Sequence, residues 1–226
     1  RAGDQSFYGI GIPSVAVRAN IPEGSPLRGR WIGGSGGAWW WHSAFDTLDK
    51  GDRGNLLRDI RMEALATLRS VNCTVLPFDL AIVAEQFEDV VTEIQTKAGS
   101  GTFNLERVLG RVRELRSRAE ALNGAVAKLD EGDAAKVSKP NGVLMAASRI
   151  LTSTFYTQIG RYDQDPAYDI PRIPALQDIR RLAGLELGGD EAGFLLAKMV
   201  REMNRVNHKL DAAIGLVDEA IKIIQG

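Results

Sequence analysis

The residues of this sequence best suited to chemistry surround His42, which follows three consecutive tryptophans, Trp39-Trp40-Trp41, and precedes Ser43 and an Asp-Thr-x-Asp turn. An imidazole can ligate a metal ion, or it can pack beneath the indoles as a hydrogen-bonded or capping residue. The tryptophans can form a ligand-stacking or membrane-interface patch, or they can fill a domain boundary. The chain has only two histidines. If His42 is a ligand, the other ligands of its site must therefore lie outside this chain.

Two further segments have the composition of binding loops. Residues 21–38 are rich in turn-forming residues, and a loop of that length in a compact domain is usually functional. Residues 158–176 have little periodicity but contain several aspartates and prolines together with Tyr162 and Tyr168. Irregular excursions from a rigid scaffold are where binding residues concentrate. We therefore expect both segments to contribute to a binding surface.

Composition excludes several classes of protein. Hydrophobic residues make up 44% of the chain and charged residues 25%, as in an ordinary globular protein. The net charge of −1 leaves no large basic field for nucleic acid, and no apolar run approaches the ~20 residues that span a bilayer. Cys73 is the only cysteine, which excludes an internal disulfide and a Cys-rich zinc module. We expect Cys73 to be a small core residue.

Composition and hydrophobic periodicity divide the chain near residue 77 into two parts with different patterns. Residues 1–52 are rich in glycine and contain all four tryptophans, and residues 12–19 have the pattern of a buried strand. From Asp52, a plausible helix cap, the apolar spacing becomes helical and stays so until Pro77 ends or interrupts the helix. Further helices are predicted at 80–94, at 105–129 behind a cap at Asn104, at 143–154 and at 192–224. The predicted fold is mainly α, an up-and-down helical bundle preceded by a short α/β remnant.

Four motifs occur in an order that is similar to one protein family. They are Asp4-Gln5-Ser6-Phe7 with Gly11-Ile12-Pro13-Ser14, then Trp41-His42-Ser43 with Asp46-Thr47, then Asn72-Cys73-Thr74-Val75-Leu76-Pro77-Phe78-Asp79, and finally Tyr168 with Ile173-Pro174-Ala175-Leu176. Together they resemble the glutamate carboxypeptidase and transferrin-receptor family of di-zinc exopeptidases. The resemblance implies that residues 1–76 end an α/β catalytic domain, and that residues 77–226 form the transferrin-receptor-like dimerisation domain.

The resemblance also implies an activity. In this family His, Asp, Glu, Asp and His hold two zinc ions, and a further glutamate is the general base. His42 matches the last histidine ligand, so the chain is expected to be the C-terminal part of a zinc exopeptidase that hydrolyses peptides or N-acyl-dipeptides. The resemblance places no catalytic residue within this chain. With one ligand of the set, it is expected to be inactive alone and to hold no zinc stably.

Three residues match substrate-side positions of the family. Arg18 matches an arginine that lines the pocket before the scissile bond, although a surface ion-pairing role is equally consistent with its position. Trp41 stands where many members have a tyrosine whose hydroxyl faces the substrate. Tyr168 matches a tyrosine that helps to hold a C-terminal glutamate. The neighbouring cations of the family are replaced by Ala16 and Ala167, so a preference for glutamate is not expected.

The expected partners follow from the resemblance and from the composition together. We expect a homodimer through the helical domain, a peptide substrate in the intact protein, no nucleic acid and no membrane span in this chain. The alternative is a non-catalytic receptor or scaffold relative, whose helical domain serves dimerisation and protein binding. Because the sequence lacks an initiator methionine and a signal peptide, we interpret it as a piece of a longer protein. The family favours a secreted, periplasmic or extracellular location, although the sequence itself does not decide the compartment.

Overall fold

The structure is a computed structural model that describes residues 3–14, 24–25, 39–41, 43–99, 101, 103–129, 134–163 and 170–226. Over these ranges the chain is mainly helical and contains no strand. The six α-helices are α1 (Arg53–Asn72), α2 (Leu80–Ala98), α3 (Glu106–Val126), α4 (Ala134–Tyr156), α5 (Ile179–Leu182) and α6 (Asp190–Gln225). Contacts divide the chain into two compact units, residues 15–73 and residues 1–14 with 74–226.

The unit of residues 15–73 contains α1, which begins as the sequence predicts. The Asp52 carboxylate accepts a hydrogen bond from the backbone N–H of Asn55 at 2.6 Å, so Asp52 caps the helix. The helix ends at Asn72 rather than at Pro77. None of its residues is buried. Its apolar side chains, Leu56, Leu57, Ile60, Met62, Leu65, Leu68 and Val71, are all exposed.

Cys73 corrects one sequence expectation. It follows the last turn of α1 and is only half-buried, with its thiol donating to the Ser70 carbonyl at 2.9 Å. The thiol therefore satisfies part of the exposed C-terminal turn, where carbonyl groups lack intrahelical partners. It does not fill a core.

The other unit is a helical bundle of α2, α3, α4 and α6, as predicted. α6 packs most extensively on α4 and then on α3, and α2 packs on α3. Ion pairs join Arg111 to Asp211 at 2.9 Å and Arg118 to Asp218 at 3.5 Å. Because both pairs have the same offset in sequence, α3 and α6 run parallel. α3 therefore lies beside α6, whereas a simple sequential order would place it beside α4.

The start of the bundle is fixed by side-chain amides and a carboxylate. Asp79 caps α2 by accepting from the N–H groups of Ala81 and Ile82, and the amide of Asn123 donates to the same carboxylate at 3.1 Å. These bonds join the beginning of α2 to the end of α3. At the other end of this hairpin Asn104 accepts from the N–H of Glu106 at 2.6 Å. Asn104 therefore bonds to the first turn, but α3 begins at Glu106 and its N-cap residue is Leu105, so the prediction of a cap at Asn104 is wrong by one residue.

Two asparagines in helices of the bundle have opposite surroundings. Asn141 in α4 accepts from the N–H of Leu76 at 2.8 Å and donates to the carbonyl of Thr74 at 3.0 Å. It thereby fixes the segment that enters α2. Asn207 in α6 is only 2% exposed, and neither atom of its amide has a hydrogen-bond partner in the described structure. A buried polar group without a partner destabilises the fold.

Residues 3–14 pack on α4, far from them in sequence. Tyr8 is buried and stacks on Tyr156, with ring centroids 4.7 Å apart, and its hydroxyl hydrogen-bonds to that of Ser14 at 2.9 Å. Gly11 has a φ of +80°, and a Cβ there would lie 2.5 Å from the backbone of Arg149. Only glycine allows this close approach.

The predicted α/β remnant is not observed in the described residues. Residues 12–14, the beginning of the predicted strand at 12–19, are not in a strand, and residues 15–19 lie outside the described ranges. The division at residue 76 stays a prediction. The contacts themselves place residues 1–14 in the same unit as the bundle.

Candidate functional site

Most of the predicted site lies outside the described residues. Arg18, His42 and Tyr168 all fall in the gaps, so their predicted roles stay predictions. Trp41 is described, and it is 39% exposed. The structure therefore bears on the surroundings of the predicted zinc ligand rather than on the ligand itself.

Ser43 forms hydrogen bonds to residues before and after it in the chain. Its backbone N–H donates to the Trp40 carbonyl at 3.0 Å, and its hydroxyl donates to the same oxygen at 2.6 Å. Its carbonyl accepts from the N–H of Asp46 at 3.1 Å. A hydrogen bond from Lys50 and, to a smaller extent, one from Thr47 lower the pKa of the Asp49 carboxyl. The described residues of the motif thus form a locally hydrogen-bonded turn.

The tryptophans of this motif are not core residues. Trp39 is 59% exposed and Phe45 is 63% exposed. Their rings touch with centroids 5.4 Å apart, and the ring of Trp39 meets that of Trp40 edge-on at 5.9 Å. Exposed aromatic side chains can stack on flat ligands, and they can equally pack at the boundary with another domain. This surface is consistent with the stacking interpretation of the tryptophan cluster.

The described residues do not supply a metal site of their own. Within those ranges no group of three or more His, Cys, Asp or Glu side chains is placed to hold a metal ion. Zinc sites use three or four such ligands, so His42 alone does not make one. The helices of the described ranges also include none long and apolar enough to cross a membrane.

A cavity that the sequence did not reveal lies between α4 and α6. We call it the α4–α6 cavity; its volume is about 650 Å³. Its walls are residues 153, 154 and 157–160, residues 171, 174, 175, 177 and 178, and residues of α6. The α6 residues are the charged Lys198, Glu202, Arg205 and Lys209 together with Val206 and His208. The predicted excursion at 158–176 therefore does border a concave surface. The missed signal is the spacing of these four charged residues, which places them on one side of a helix.

The charges of this cavity are partly paired. Lys198 contacts Asp178 at 2.5 Å, and Arg205 forms an ion pair with Glu202. Lys209 has no carboxylate within 4.0 Å among the described residues. Desolvation lowers the pKa of the Lys209 ammonium. The charge of Glu202 raises this pKa, and the charge of Arg205 lowers it. Lys209 is nevertheless an exposed residue of α6, so its side chain reaches solvent.

An unusual backbone conformation shapes the same wall. Ile173 has a φ of +48° and a ψ of +62°, in the left-handed region, which is an outlier for a β-branched residue. Its side chain is fully buried, and its N–H donates to the Phe155 carbonyl at 2.8 Å. Pro174 follows and lines the cavity. Burial of Ile173 therefore fixes the direction in which the chain returns to the bundle.

A scan against protein-family models, a search of curated proteins and a search of solved structures each found no match. The resemblance to the peptidase family therefore stays a prediction from the sequence motifs. The helical bundle rests on the structure.

Proposed function

We propose that this chain is the C-terminal part of a zinc-dependent exopeptidase of the glutamate carboxypeptidase and transferrin-receptor family. The observation that carries the proposal is the order of the four motifs, with His42 in the second of them. Two structural features support it. The motif around position 42 has local hydrogen-bonded order, and a helical bundle follows it in the chain.

The role of this chain in catalysis is to complete a site rather than to form one. Bound zinc lowers the pKa of a water molecule and polarises the scissile carbonyl. His42 supplies one neutral imidazole nitrogen as a ligand. The remaining ligands and the general base belong to the upstream part of the intact protein, so the chain alone is inactive.

The substrate-side residues favour a peptide whose terminal side chain is not acidic. Arg18, Trp41 and Tyr168 line the pocket in this proposal, and Ala16 and Ala167 replace the cations that would bind a glutamate carboxylate. The exposed rings of Trp39 and Phe45 add apolar surface next to His42 in sequence. An apolar or aromatic substrate side chain therefore fits this set of residues best.

Zinc analysis of the intact protein tests the proposal, with the two histidines as a matched pair. His42→Ala is expected to lower the bound zinc and to abolish peptide hydrolysis, since it removes a ligand. His208→Ala is expected to keep the zinc content of the wild type, because His208 is an exposed residue of α6. Unchanged zinc in the His42 variant contradicts the proposal. A wild-type protein without zinc supports the non-catalytic receptor or scaffold instead.

The homodimer through the helical domain remains part of the proposal, and exposed apolar residues of the bundle are the candidates for its surface. The apolar residues of α6, among them Met199, Leu210 and Val217, are buried inside the bundle and are not free to pair with a second copy. Phe194 of the same helix is 78% exposed and is a better candidate for the interface. Sedimentation of the intact protein at micromolar concentration distinguishes a dimer from a monomer.

A further inference from the structure

We draw no further inference here: the strongest candidate, the exposed apolar face of α1 formed by Leu57, Ile60, Leu68 and Val71, carries nothing because nothing among the described residues shows what covers it.

Discussion

Replacing Asn207 by leucine is expected to stabilise the bundle. Asn207 is 2% exposed in α6, and its amide nitrogen and oxygen have no partner in the part of the chain that is described. Folding therefore strips water from both atoms without replacing the lost hydrogen bonds. An unsatisfied buried polar group costs about 1–3 kcal/mol. Leucine removes both polar atoms and keeps an apolar side chain at a buried position.

Two smaller effects decide the net value. Leucine is a better helix former than asparagine by roughly 0.5 kcal/mol, which adds to the gain. The change of shape opposes it, at a cost of up to about 1.5 kcal/mol for a side chain of similar size in a packed core. The sum is a stabilisation of about 1 kcal/mol, or about fivefold in the ratio of folded to unfolded protein.

Asn141→Leu is the matched control, because it makes the same substitution inside another helix. The Asn141 amide accepts from Leu76 at 2.8 Å and donates to Thr74 at 3.0 Å, so leucine there leaves two backbone groups without partners. We expect a loss of about 2 kcal/mol. Urea unfolding followed by circular dichroism should move the two midpoints in opposite directions. If Asn207→Leu lowers the midpoint as Asn141→Leu does, the Asn207 amide is satisfied and the reasoning is wrong.

Two further substitutions test positions at which a left-handed backbone conformation determines which side chain fits. Gly11→Ala should release residues 3–14 from α4, because the new Cβ would lie 2.5 Å from the Arg149 backbone and φ at this position is +80°. Limited proteolysis should then cut this segment several-fold faster than in the wild type. An unchanged cleavage rate would contradict the packing of residues 3–14 on α4. Ile173→Gly should lower the midpoint of thermal unfolding. Glycine relieves the left-handed backbone strain, which recovers about 1–2 kcal/mol. Loss of the fully buried isoleucine side chain costs more, about 2–5 kcal/mol. A stabilised Ile173→Gly variant would show that strain dominates.

The bundle could be predicted from sequence because each long helix has an apolar stripe with helical spacing. The buried residues of α2 illustrate this, since Ala84, Phe87, Val91 and Ile94 repeat every three or four residues. The start of α1 was predicted because the side chain of Asp52 supplies the cap. The start of α4 was predicted too late. Its first turns contain Pro140, which normally interrupts a helix.

Which helices pack against one another could not be predicted in the same way. An apolar stripe indicates that a helix face is buried, but it does not say against which helix. The parallel pairing of α3 with α6 is visible only in ion pairs such as Arg111–Asp211, between residues far apart in sequence. The packing of Tyr8 on Tyr156 is equally non-local. Both depend on tertiary contacts that leave no local pattern.

The candidate cavity shows why a site can be harder to predict than a fold. The charged face of α6 can be found by its period, but a charged helix face is usually only a solvated surface. It becomes the wall of a cavity because residues 171–178 return over it. That return depends on Ile173 in a left-handed conformation that its own side chain disfavours. Burial and the bond to Phe155 hold it there. Where tertiary contacts override a local preference in this way, the local sequence pattern alone does not reveal the conformation.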